Sequence, residues 1–350
     1  MIRFAHGNLL TADAEALVNT VNCVGVMGKG IALQFKQAFP DNFRSYAAAC
    51  KRGEVRPGQM FVFTTGAASN PRFIINFPTK RHFRDPSRIE DIECGLTALV
   101  RELHVHGIRS IAIPPLGCGN GGLVWNDVRP RIEHALQGAP NIEVLLYAPA
   151  GAPQPSTMPV RTSPPRMTRG RALLVKLLEA YLRHDYGATR IEMQKLAYFL
   201  QTAGEPLKLN FVKHTFGPFA SNLNHVLHSM EGHLIRGFGD GSARAEISLV
   251  PGALDEAERL LAEEPDARER LERVRQLIEG FESPYGMELL GTVHWVAIHE
   301  VSNSHDAKAI VEAVRGWNER KRERMKPAHI AKAHERLAAS GWIAPGAVHA

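Results

Sequence analysis

The sequence predicts a two-part chain: an α/β layered domain over residues 1–150 and a mainly helical domain over residues 169–350, joined by a proline-rich linker over 151–168. Three observations lead there. A chain of 350 residues exceeds what one hydrophobic core usually organises, so a division into two domains is expected. In the first 150 residues, short apolar runs alternate with segments of helical period, the pattern of a largely parallel sheet covered by helices. Between Ala148 and Arg169 lie six prolines and almost no periodic apolar pattern, which marks a semi-stiff linker.

Strands are expected at Ala16–Val21, Met60–Thr65, Phe73–Phe77, Ser110–Pro114 and Glu143–Ala148, each a short run rich in apolar and β-branched residues. Met60–Phe77 also fits an antiparallel hairpin. Helices are expected at Gly30–Ala38, Asn42–Cys50, Ile89–His104 and Asn126–Leu136. In such a fold, ligands bind beyond the C-terminal ends of the strands. After the linker, Gly170–Arg183 carries Leu173, Leu174, Leu177, Leu178, Tyr181 and Leu182 on one helical face, and Ile191–Ala203 follows. Leu207–Phe219 reads as irregular, Asn222–His233 as helical, Asp255–Glu282 as one or two exposed helices, and Met287–Ser302 and Asp306–Lys326 as further helices.

Composition narrows the function. A 44% hydrophobic and 22% charged content is that of an ordinary soluble protein, and no apolar run approaches the ~20 residues that span a bilayer. The start, MIRFAHGNLL, lacks a signal-peptide pattern, so cytoplasmic residence and no membrane partner are expected. The four cysteines, Cys23, Cys50, Cys94 and Cys118, have no CxxC spacing, which argues against a disulfide framework and a zinc site. The net charge of +6 leans to the first 150 residues, with 16 Lys+Arg against 12 Asp+Glu, and mildly favours a polyanionic partner. Nothing demands a metal or redox cofactor.

Three strand ends carry groups suited to a diphosphate. Asn19 to Gly30 ends in a glycine-rich loop that runs straight into a helix, where free N–H groups and the helix dipole favour an anion. No Ser or Thr follows Lys29, so it is not a P-loop. Residues 117–122 formally match GxGxxG, but they follow a late strand and their helix begins several residues on, so a flexible phosphate loop fits better than a dinucleotide fingerprint. In Ile75 to His82 a strand ends in Lys80, which by itself reads as a phosphate contact, a nucleophilic amine or a solvated charge. His104 and His106 read as a helix end and Cys118 as small packing.

GNLL, then ALVNTVNCVGVMGKGIALQFK, INFPTK and IPPLGCGNGGLVW, in that order over residues 1–150, resemble the macrodomain family and, within it, the branch of DNA ADP-ribosyl glycohydrolase antitoxins. The resemblance implies a three-layer α/β/α fold that binds ADP-ribose above the sheet and hydrolyses it from thymidine in single-stranded DNA. It puts Asn8 and Leu9 near the adenine, and Thr20, Val21 and Asn22 near the distal ribose. Ile31, Ala32 and Leu33 would lie beside the diphosphate. Gly117, Cys118, Gly119, Asn120 and Gly121 would form the second phosphate loop, with Thr79 beside the catalytic Lys80. A neutral lysine amine can attack the anomeric carbon or its ring-opened aldehyde. A related deacylating branch has an acidic residue where this chain has Gly121, so a Lys/Asp pair does not transfer, and no motif places Asp85 or Asp91. Arg81, His82 and Arg84 offer phosphate contacts at the cleft mouth.

In the second domain, Met193–Leu200 and Phe216–Ala220 with the helix Asn222–His228 resemble, more loosely, the Panacea-type antitoxin domain. That resemblance implies binding and inhibition of a cognate DarT-like DNA ADP-ribosyltransferase toxin. The acidic stretch Glu256–Glu272 suits either DNA mimicry or a solvated helix, and its arginines favour the latter. Two rival functions are a non-catalytic ADP-ribose reader, in which Lys80 only contacts phosphate, and a hydrolase of other ADP-ribose esters.

Overall fold

A computed structural model describes residues 1–150, 157–182, 187–240 and 246–343. The chain divides into two compact units, one made chiefly of Met1–Ser163 and one made chiefly of the residues from Pro164 onward. In the first, six strands lie in the order β1-β6-β5-β2-β4-β3: β1 (Ile2–Ala5), β2 (Ala16–Asn22), β3 (Phe61–Thr64), β4 (Phe73–Lys80), β5 (Ser110–Ile113) and β6 (Glu143–Tyr147). All pairs are parallel except β3 with β4, the hairpin anticipated for Met60–Phe77, in which Phe61 faces Asn76 and Thr64 faces Phe73. The helices are α1 (Gly30–Ala38), α2 (Pro40–Lys51), α3 (Ile89–Val105) and α4 (Trp125–Leu136).

Alternation along the strands divides the core between two faces. Ala16 and Val18 of β2, with Ile75 and Phe77 of β4, pack with Ile92, Leu96 and Leu99 of α3 and Val128 and Ile132 of α4. Leu17 and Ile74, one residue out of step, pack with Phe35 and Ala38 of α1, and Val21 packs with Tyr46 and Ala49 of α2. The result is a three-layer α/β/α sandwich. Because β5, β2 and β4 are neighbours and parallel, the loops leaving them open side by side on one edge.

A linker is expected over 151–168. Residues 151–156 lie outside the described residues; beyond them the chain lies on the first unit. Thr157 accepts a bond from Asn8, Met158 packs against the α1 face of the core, and Arg161 N donates to Gln37 O at 2.8 Å.

The second unit contains α5 (Arg169–Leu182), α6 (Arg190–Thr202), α7 (Leu223–Met230), α8 (Ala253–Leu261), α9 (Pro265–Ile278), α10 (Pro284–His299), α11 (Ala307–Gly316), α12 (Glu319–Arg324) and α13 (Pro327–Ala339). Arg183, the last residue of the expected first helix, lies outside the described residues. Leu207–Phe219 is not irregular: it holds most of an antiparallel hairpin, β7 (Phe211–His214) with β8 (Gly217–Ala220), and β9 (Ile235–Arg236) pairs with β10 (Ser248–Leu249). The left-handed Gly217 permits the tight turn. Helix α6 begins with a capping box between Thr189 and Glu192, and Met193 to Leu200 are all buried. Helices α8 and α9 are half-buried rather than wholly exposed, with Ala257, Leu261, Ala267, Leu271 and Val274 in the core. Glu258 of α8 pairs with Lys176, and Glu264, at the N-cap of α9, pairs with Arg169.

Candidate active site at the ends of β2, β4 and β5

Lys80 is the last residue of β4, and a register shift places it there. Up to Val21 opposite Pro78 the β2–β4 register is regular; the next pair is Asn22 opposite Lys80, so Thr79 is bulged out of the ladder. Pro78 has no N–H to give the ladder, which makes this the natural position for a bulge, and bulges re-aim side chains at strand ends. The Lys80 amine donates to the carbonyl of Asn120 in the loop after β5. Partial burial holds its pKa below the ordinary lysine value, the nearby Lys29 charge adds to the lowering, and Asp85 opposes it.

The loop after β2 is built around Asn22. Its Oδ1 accepts from Val24 N at 3.0 Å and Val26 N at 3.3 Å, and its carbonyl accepts from the Tyr46 hydroxyl. The side chain therefore shapes the loop from within. Thr20 is half-buried and Val21 buried at the strand end. Gly30 opens α1 in a left-handed conformation, where a Cβ would meet Asn120 Nδ2 at 3.0 Å, so the two glycine loops touch here. Ile31 and Ala32 are half-buried and Leu33 is buried in the first turn.

In the loop after β5, Leu123 N donates to Gly117 O at 3.0 Å and Ser87 N to Gly121 O at 2.9 Å. Gly119 faces open space. At Gly121, by contrast, a Cβ would lie 2.3 Å from both Gly117 O and Ser87 Oγ. No acidic side chain fits there. Burial raises the Cys118 thiol to about 11, and its Sγ contacts Leu116 O, as suits small packing. Asn8 caps the short turn Leu9–Thr11 by accepting from Leu10 N, and its amide reaches Thr157 O at 3.1 Å; Leu9 is buried. Thr79 is buried, its hydroxyl 3.5 Å from Val21 O.

Of the two unplaced acids, Asp91 is held by Arg81 at 3.1 Å and Asp85 is the one whose field reaches Lys80. His104 and His106 lie at the C-terminal end of α3, where His104 bonds to Val100 O. Among the described residues no group of three or more His, Cys, Asp or Glu could hold a metal, and no helix is long and apolar enough to cross a membrane.

A buried amide chain, not among the residues expected from the sequence, lies below the site. Asn19 Nδ2 donates to Asn76 Oδ1 at 2.9 Å, and Asn76 Nδ2 donates to Asn42 Oδ1 at 2.7 Å, tying β2, β4 and α2 together. The signal was present: Asn19 and Asn76 are polar residues inside otherwise apolar strands.

The family description "Macro domain" matches residues 18–132. Over 349 residues the chain is 49% identical to the DNA ADP-ribosyl glycohydrolase of Thermus aquaticus, covering 99% of this chain and 94% of that one. The chain belongs to the DNA ADP-ribosyl glycohydrolase family. It is accordingly an enzyme of the DNA ADP-ribosyl glycohydrolase class. It is also 33% identical over 163 residues, 42% of each chain, to a DNA ADP-ribosyl transferase-DNA ADP-ribosyl glycohydrolase fusion protein of Thermosipho africanus. Among solved structures, the macrodomain of Mycobacterium tuberculosis DarG is 55% identical and covers 43% of this chain and 99% of its own, with a TM-score of 0.43. The glycohydrolase family assignment extends across both units, since the Thermus alignment spans nearly the whole chain.

Proposed function

We propose that this glycohydrolase releases ADP-ribose from ADP-ribosylated thymidine in single-stranded DNA, with Lys80 as the catalytic residue. The observation that carries the reading is Lys80 itself: an amine re-aimed by a bulge, set between two glycine loops, and biased toward its neutral form by burial against the opposing charge of Asp85. The loops after β2 and β5 hold the diphosphate, with Ile31, Ala32 and Leu33 on one side and Gly117 to Gly121 on the other. Asn8 and Leu9 lie on the adenine side, and Thr20 to Asn22 with Thr79 border the distal ribose. Neutral Lys80 Nζ attacks the anomeric carbon, the bond from that carbon to the base breaks, and the base leaves with a proton; water then releases ADP-ribose and restores the amine. In the transferase–glycohydrolase fusion of Thermosipho africanus both activities share one polypeptide. That pairing supports a second role here, in which the helical unit binds and inhibits the cognate DarT-like transferase in the cytoplasm.

The deciding experiment incubates the protein with an ADP-ribosylated single-stranded oligonucleotide and follows the unmodified strand by mass spectrometry. Multiple turnovers support the reading. Tight ADP-ribose binding without turnover makes the protein a reader, and turnover confined to ADP-ribose esters makes it a hydrolase of a different substrate class.

A further inference from the structure

Beyond Lys80 the chain runs along the mouth of the site as Arg81–Ser87, and it is fastened at both ends. Cys23 N donates to Arg81 O at 3.2 Å at one end, and Ser87 N donates to Gly121 O at 2.9 Å at the other, so the segment bridges the two glycine loops. At its crest, Phe83 is 43% exposed. Its ring is not loose: His82 stacks on it at 4.2 Å with an interplanar angle of 34°, and the Arg84 guanidinium sits 5.4 Å from its centroid. The His82 ring is held in turn by Arg84 N, which donates to its Nδ1 at 3.3 Å.

A single exposed apolar side chain on a surface needs no explanation. An ordered aromatic pair flanked by a guanidinium, three residues past the catalytic lysine, is a different arrangement. Such a pair favours a flat, electron-rich partner, since nucleobases stack on aromatic rings and arginine planes whatever their sequence. Residues 81–88 hold three arginines against one aspartate; Arg81 is balanced by Asp91, and Arg84 and Arg88 leave the rim suited to a phosphodiester strand. Resting on the reading that the substrate is single-stranded DNA, we propose that His82, Phe83 and Arg84 seat the base adjacent to the modified nucleotide. The macrodomain then grips the strand as well as its ADP-ribose. Phe83 is a positioning and specificity residue that touches no reacting atom.

The test compares wild type and Phe83→Ala on two substrates, an ADP-ribosylated oligonucleotide and ADP-ribosylated thymidine alone. On the oligonucleotide, Phe83→Ala is expected to lower kcat/KM by roughly five- to a hundred-fold, the usual worth of one stacked base, mainly through KM. On the mononucleoside the two proteins should match, and Phe83→Trp should restore the oligonucleotide rate. Abasic sites on both sides of the modified thymidine should slow wild type by a similar factor and leave Phe83→Ala indifferent, because one interaction cannot be lost twice. Equal rates for wild type and Phe83→Ala on the intact oligonucleotide overturn the seat while the glycohydrolase reading stands. No turnover of the oligonucleotide by wild type overturns both, and an equal loss on both substrates assigns Phe83 to the ADP-ribose pocket instead.

Discussion

The Lys80 amine lies between opposing influences. Burial and Lys29 favour its neutral form, and Asp85 favours the charged one. Since attack needs the neutral amine, kcat/KM should rise with pH through the Lys80 pKa. Asp85→Asn removes the influence that raises that pKa and should move the midpoint to lower pH; Lys29→Met removes one that lowers it and should move the midpoint higher. A pH–rate profile of each variant checks both signs, and shifts in the same direction would contradict this electrostatic account. The glycines of the second loop separate fold from function in the same way. Gly119→Glu, facing open space, should leave the unfolding temperature nearly unchanged and weaken ADP-ribose binding more than tenfold in calorimetry, by filling and repelling at the diphosphate. Gly121→Ala, whose new methyl meets Gly117 O and Ser87 Oγ, should instead destabilise the unit by about 1–3 kcal/mol in chemical denaturation.

At the scale of elements, what the sequence made legible follows from how local each signal is. The helices α1 to α4 and strands β2 to β6 are self-contained runs of one period, and their limits came within a few residues. Strand β1 has no such signal: it is a four-residue edge strand with two exposed residues, identified only by its pairing to β6. The β7–β8 hairpin was hidden because Lys213, His214 and Pro218 interrupt any apolar alternation, and what decides its fold is the burial of β8 against α6 and α10, with the exposed β7 paired to it. Lys80, the glycine loops and the polar Asn19 and Asn76 were readable within the strands, but the bulge at Thr79, the Arg81–Asp91 pair and the partner each amide finds depend on how β2, β4, α2 and α3 come together, which no local pattern encodes. Another such feature lies between α6 and α10, where the buried Lys195 donates to Pro218 O at 2.7 Å and burial, helped by the Lys321 charge, lowers its pKa to about 7. The unfolded chain then binds more protons than the folded one between pH 7 and the ordinary lysine range. The helical unit should therefore gain stability as pH rises through that window, and Lys195→Met should flatten the rise. Unfolding temperatures measured from pH 7 to 10 on both proteins check this.

At the scale of the whole molecule, two units of different architecture are joined in a chain that resembles the Thermus glycohydrolase from end to end. A module kept beside a hydrolase at high effective concentration is well suited to hold the enzyme that creates the lesion. If inhibition of the transferase belongs to the helical unit, the full-length Lys80→Ala protein should still protect cells that express an active DNA ADP-ribosyltransferase and should co-purify with it. Death of those cells without a complex would leave hydrolysis as the sole protection. Whether Lys80 performs the chemistry is decided by one paired measurement on Lys80→Ala: release of ADP-ribose from modified single-stranded DNA and affinity for free ADP-ribose. Turnover should vanish while affinity stays within about tenfold of wild type, since one half-buried amine contributes no more than ~1.4 kcal/mol to ground-state binding. Undiminished turnover would remove Lys80 from the chemistry, and affinity that collapses together with turnover would make it a binding contact.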